Sequence, residues 1–126
     1  MAQLLGIDLG TSGARAVLVE AASGRVVAGA SAEYPLHTPR PLWAEQDPHD
    51  WWQGAVAAVR AALAAGGRVD VRGVGLSGQM HGVVLLDDRG EPIGRSLLWC
   101  DGRTGEECAE ITRRAGGEER LLDLSG

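Results

Sequence analysis

Asp8 is the residue around which chemistry is most readily built in this chain, because it closes an apolar run and opens a turn of small residues. Residues 6–19 read Gly-Ile-Asp-Leu-Gly-Thr-Ser-Gly-Ala-Arg-Ala-Val-Leu-Val. Leu4, Leu5 and Ile7 suit a short buried strand, and Asp8 at its end offers a carboxylate that can hold Mg²⁺ directly or through water. Gly10 and Gly13 admit backbone angles closed to other residues and let main-chain N–H groups approach an anion. Thr11 and Ser12 add hydroxyl donors, and Arg15 adds a permanent positive charge. Asp8 is therefore the candidate for metal and phosphate positioning, with Gly10, Thr11, Ser12 and Arg15 as candidate phosphate-binding residues. Turn chemistry alone leaves an ordinary β-hairpin equally open.

Three further segments bear on that choice: Trp-Ala-Glu-Gln-Asp-Pro at 43–48, Ser-Gly-Gln-Met-His-Gly at 77–82 and Leu-Trp-Cys-Asp-Gly-Arg at 98–103. Together with the hairpin, in this order, they resemble the opening of the FGGY carbohydrate kinases, and within that family the xylulokinases. The resemblance runs from residue 5 to about residue 124. It implies an α/β fold of the ribonuclease H-like, actin-like ATPase type, with a mixed sheet that begins with three antiparallel strands and is flanked by helices. It also implies that residues 1–126 are the N-terminal portion of the sugar-binding domain, with the rest of that domain, the nucleotide-binding domain and the general base, an Asp, outside this chain.

The activity implied is ATP-dependent phosphorylation of D-xylulose to D-xylulose 5-phosphate, with ATP and Mg²⁺ as cofactors. The isolated chain is expected to be inactive and to bind nucleotide weakly. A polyol or ketose needs hydrogen-bonding groups around its hydroxyls and an apolar wall against its carbons. The resemblance gives Met80 a packing role, His81 a hydrogen-bonding role and Trp99 a place beside the sugar. Read singly, His81 better suits completion of a glycine-rich turn and Trp99 the filling of a core. Asp101 and Arg103 are expected to hold the Trp99 loop as an ion pair, with contact to a substrate hydroxyl left open. Cys100 stands where similar xylulokinases usually carry Asn. Other FGGY kinases, for ribulose, glycerol or gluconate, remain alternatives, as do a non-catalytic actin-like protein and a sugar-binding remnant. Similar kinases are often dimers, so a homodimer is among the implied partners.

Composition narrows the alternatives. The 126 residues carry 12 basic and 17 acidic side chains, a formal net charge of −5, with no concentrated basic patch for nucleic acid. Every basic residue is Arg, so a P-loop lysine, a Schiff-base lysine and a lysine general base are excluded from this segment. Cys100 and Cys108 lack the companion ligands of a structural zinc site. The absence of a signal-like N-terminus leads to a cytoplasmic expectation, and the Ala-rich run at 55–65 is too short to cross a membrane.

The elements that must position these residues follow from periodicity and breakers. The hairpin and the run at 25–34 predict three successive antiparallel strands around a turn at 20–24. Pro35, Pro39 and Pro41 predict an irregular crossing segment, in which Trp43, Glu45 and Gln46 serve as anchors. Asp47 and Pro48 predict the cap and first turn of a helix over 48–65, ended by Gly66 and Gly67. Trp52, Ala55, Val56, Val59 and Leu63 are its expected buried stripe. A buried strand is predicted over 71–76, two strands over 83–86 and 96–99 joined around 87–90, a helix over 104–115, and a helical turn over 118–122.

Overall fold

The computed structural model describes residues 1–67 and 70–126. Strand β1 (Ala2–Leu9) leads through the tight turn at 10–12 into β2 (Gly13–Glu20), and the turn at 21–25 returns the chain as β3 (Val26–Glu33). The pairs β1–β2 and β2–β3 are antiparallel, with Asp8 opposite Arg15 and Arg15 opposite Ser31. Three antiparallel strands therefore open the fold, as their alternating apolar residues predict.

After the proline-rich crossing, a two-residue strand β4 (Glu45–Gln46) leads into helix α1 (Pro48–Gly66). Asp47 caps this helix by accepting the His49 N–H, and Pro48 occupies the first turn, where a missing N–H costs nothing. Strand β5 (Asp70–Gly78) then returns parallel to β1, giving the sheet order β3-β2-β1-β5. This register sets Ser77 beside Asp8, so residues 69 positions apart in sequence become neighbours.

Helix α1 packs across one face of the sheet. Leu5, Ala14, Ala16, Leu18, Tyr34, Ala58 and Ala62 form the core, with Leu18, Ala14, Ala58 and Ala62 fully enclosed. Small residues on both surfaces let helix and sheet approach closely. At Gly54 a Cβ would lie 2.8 Å from the Tyr34 ring, so the contact leaves no room for a side chain.

Several expectations are corrected. Trp52 points to solvent, 72 % exposed, while Gly54, Ala58 and Ala62 take the buried stripe. Ala55, Val59 and Leu63 of the expected stripe do pack against this core, partly buried, and Trp51 rather than Trp52 is the tryptophan that joins them. Strand β5 is not buried: Val74 and Leu76 are exposed, since β5 is the edge of the sheet and α1 lies mainly over β2 and β3. The predicted strands at 83–86 and 96–99 reduce to β6 (Ser96–Leu97), which pairs with β4, and to single bridges at Val83–Leu97 and Leu86–Pro92. Asp87 closes the expected turn between them, its carboxylate accepting the N–H groups of Arg89 and Glu91. Helix α2 (Gly105–Ala115) ends at Gly116 in the left-handed conformation, and α3 (Glu118–Ser125) is longer than the single turn expected.

Candidate active site

The turn after β1 is built so that its carbonyls face inward. The Tyr34 hydroxyl donates to the Gly10 carbonyl, the Gln46 side-chain amide donates to the Thr11 carbonyl at 2.7 Å, and the Tyr34 N–H reaches the Ser12 carbonyl at 3.5 Å. In a planar trans peptide the N–H points opposite to its carbonyl. Fixing the Gly10 and Thr11 carbonyls inward therefore turns the N–H groups of Thr11 and Ser12 outward. Among the described residues neither makes a backbone hydrogen bond. Two outward N–H groups beside two hydroxyls are donors of the kind an anion can accept from.

Gly13 is required here because a Cβ would meet the Ala32 carbonyl at 2.5 Å. Asp8, Gly10, Thr11, Ser12 and Arg15 all line one hollow of about 400 Å³ on this side of the turn. Asp8 is held by Ser77, whose hydroxyl donates to Oδ1 at 2.6 Å. Burial raises the Tyr34 phenol above its ordinary pKa, and the nearby Asp8 charge adds to that shift.

A second cleft of about 380 Å³ opens on the other side, where Asp8, Gly10 and Thr11 face Met80, His81 and Trp99. The turn carrying Met80 and His81 leaves the end of β5. The Gln79 N–H continues the ladder to the Leu9 carbonyl at 2.8 Å, and at Gly78 a Cβ would lie 3.0 Å from that same carbonyl. His81 adopts φ 64°, a left-handed conformation unusual for a non-glycine residue. Met80 and Trp99 are 67 % and 58 % exposed, which corrects the alternative that Trp99 fills the core. The Trp99 indole N–H is already committed to Thr11 Oγ1 at 3.1 Å, so Trp99 presents its ring to the cleft. Thr11, accepting that bond, keeps its own hydroxyl proton to donate.

The loop carrying Trp99 is fixed to the crossing segment. Arg103 donates to both oxygens of Asp101 and to Glu45, and its guanidinium stacks 3.7 Å over the Trp43 ring. Asp101 also accepts the Ala44 N–H at 2.7 Å. The bonds from Arg103, with the Ala44 N–H assisting against burial, hold the Asp101 carboxyl well below the usual carboxylate range. Asp101 and Arg103 thus form the ion pair expected, and Glu45 and Trp43 complete it.

Every candidate residue falls on one of two hollows that share Asp8, Gly10 and Thr11. Sequence reasoning passed over Ser77 and Tyr34 and read Gln46 only as an anchor of the crossing segment; the bonds of all three depend on strand register and on folding of that segment over the turn. Among the described residues no group of three or more His, Cys, Asp or Glu side chains gathers around a metal position. Asp8 fits Mg²⁺ as a lone carboxylate, with phosphate oxygens and water as the remaining ligands, which is common for that ion. The outward N–H groups, Thr11, Ser12 and Arg15 fit the phosphates of a nucleotide.

Residues 3–126 match the FGGY family of carbohydrate kinases, N-terminal domain. The chain belongs to the FGGY family. This FGGY chain is 44 % identical over 117 residues to a xylulose kinase of Klebsiella pneumoniae, covering 93 % of the chain and 24 % of that protein. It is 40 % identical over 125 residues to a glycerol kinase of Polaromonas naphthalenivorans, covering 97 % and 24 %. The crystal structure of xylulose kinase from Rhodospirillum rubrum superposes with a TM-score of 0.85 at 38 % identity, over 89 % of this chain and 23 % of that one. The FGGY chain thus has the actin-like fold of these kinases and spans about a quarter of the length of the curated relatives it matches. Among the described residues no helix is long and apolar enough to cross a membrane.

Proposed function

We propose that this chain is the opening part of the sugar-binding domain of an ATP-dependent kinase that phosphorylates D-xylulose to D-xylulose 5-phosphate. The observation that carries this reading is the shared wall. Asp8, Gly10 and Thr11 border both a hollow whose lining includes Ser12, Arg15, Ser31 and Glu33 and a cleft lined by Met80, His81 and Trp99. Phosphoryl transfer depends on holding donor and acceptor in line while charge is neutralised. A pair of sites meeting at one turn provides that placement.

In this reading the N–H groups of Thr11 and Ser12, their hydroxyls and Arg15 bind phosphate oxygens. Asp8, oriented by Ser77, holds the position of the metal. Mg²⁺, when bound there, offsets phosphate charge. Trp99 and Met80 cover the carbon skeleton of the sugar and His81 bonds one of its hydroxyls. The base that takes the hydroxyl proton is assigned to an Asp in the remainder of the gene product, as the family resemblance implies. Glycerol is the second acceptor to consider, because a relative named glycerol kinase is 40 % identical over nearly the whole chain.

The test is ADP release by the full gene product with ATP, Mg²⁺ and D-xylulose, D-ribulose, glycerol or D-gluconate. D-xylulose is expected to give the highest kcat/KM, and Asp8→Asn is expected to lower kcat by about a hundredfold or more. A higher kcat/KM for glycerol would move the assignment to that acceptor. Nucleotide-dependent polymerisation without sugar-dependent turnover would replace the kinase reading with an assembly role.

A further inference from the structure

Gln46 is completely buried, although its side chain carries an amide. Its partners define it. Nε2 donates to the Thr11 carbonyl at 2.7 Å, and Oε1 accepts from the Trp51 indole N–H at 3.0 Å and from Gln79 Nε2 at 3.0 Å. The indole is a donor only and the carbonyl an acceptor only, so the Gln46 amide has one permitted orientation. That orientation dictates the next one. Gln79 must present its Nε2 to Gln46, and its own Oε1 is left buried with no partner among the described residues.

An unpartnered buried carbonyl oxygen is costly and uncommon. Turning the Gln79 amide would not relieve that oxygen, because it would set two acceptor oxygens against each other at Gln46. The arrangement is fixed because Gln46 is locked from the other side, by Trp51 of α1 and by the turn after β1.

We propose that Gln46 and Gln79 are positioning residues: a relay from Trp51 through Gln46 that sets the distance between the Gly10–Ser12 turn and the Met80–His81 turn. The claim rests on the sugar-kinase reading above. It goes further by naming what keeps the two hollows in register. Thr11 lies on their shared wall, and Gln79 precedes Met80 and His81 directly, so the two amides bridge the phosphate side to the sugar side by two consecutive hydrogen bonds. Each turn has other anchors, Tyr34 for the first and the Leu9 carbonyl for the second. The relay is the side-chain link between them that bypasses the sheet.

Two variants of the full gene product test this. Gln46→Glu keeps an acceptor for Trp51 and Gln79 and, assayed at a pH where its carboxyl is ionised, has no donor for the Thr11 carbonyl. Gln79→Met keeps chain length and loses the donor to Gln46. Each is expected to lower kcat for sugar phosphorylation about tenfold, while KM for sugar and ATP stays within about twofold, because misplacement of bound reactants slows transfer more than binding. The double variant is expected to be no slower than the slower single variant, as for residues acting in one chain of contacts. Losses that multiply in the double variant, or a kcat within about twofold of wild type in both singles, would overturn the relay. If Gln46→Glu does not fold, judged by its thermal midpoint, Gln79→Met at the partly buried end decides by the same kcat criterion. A wild-type protein without sugar-dependent turnover would overturn the sugar-kinase reading and the relay's role with it. An active wild type with unaffected variants would overturn the relay alone.

Discussion

Individual side chains in this protein act mostly by holding other side chains. Ser77 orients Asp8, Tyr34 and Gln46 orient the turn, and Arg103 with Asp101 holds the loop of Trp99. Asp101 shows how such a contact responds to pH. A carboxyl whose folded pKa is depressed contributes stability that is fully present above its unfolded pKa, near 4, and is lost as pH falls through the lower folded value. Arg103 stays charged throughout, so the titrating partner is the carboxylate. The difference in urea midpoint between wild type and Asp101→Asn is therefore expected to stay constant from pH 8 to about 5 and to narrow below about pH 4. A difference that instead narrowed between pH 8 and 6 would mean that Asp101 does not carry the depressed pKa.

Among the elements, helix α1 sets the site through a contact that has no side chain on one side of it. Gly54 lies against the Tyr34 ring, whose hydroxyl bonds the Gly10 carbonyl. Gly54→Ala would place a Cβ 2.8 Å from that ring. Adding one methyl to a packed contact costs about 1–3 kcal/mol, although alanine's better helix propensity offsets up to about 1 kcal/mol. A net loss of stability is expected by thermal unfolding, accompanied by a weaker affinity for ATP in the full gene product as Tyr34 shifts from the turn. Full stability with unchanged ATP affinity would show that Tyr34 moves without disturbing Gly10.

At the scale of this 126-residue chain, β5 is an edge strand: among the described residues its backbone pairs with β1 alone, and Leu76 and Val74 are 77 % and 59 % exposed. Exposed, apolar edge strands template pairing with other chains. The 126-residue chain is expected to self-associate with rising concentration in sedimentation experiments, and Leu76→Lys is expected to reduce that association. A chain that stays monomeric at high concentration would show that this edge is adequately protected as it stands.

The legible part of this protein was its local grammar. Asp47 and Pro48 start α1, glycine pairs end α1 and α2, and the apolar runs around the first turn specify three antiparallel strands, because caps, breakers and alternation act over a few residues. The motifs at 6–19, 77–82 and 98–103 likewise marked the segments that line the two hollows. The face of α1 was legible in part: Ala55, Val59 and Leu63 pack against the core as their spacing predicts, but Trp52 faces solvent and the closest contacts fall to Gly54, Ala58 and Ala62, whose small size gives no hydrophobic signal. Strand β5 was misread: its apolar composition is local, but burial depends on its place in the sheet. The pairing of Ser77 with Asp8 and the bonds of Gln46 to Thr11, Trp51 and Gln79 were decided only by the tertiary structure. They join residues up to 69 positions apart, and strand register and the path of the crossing segment are settled by packing of the whole chain.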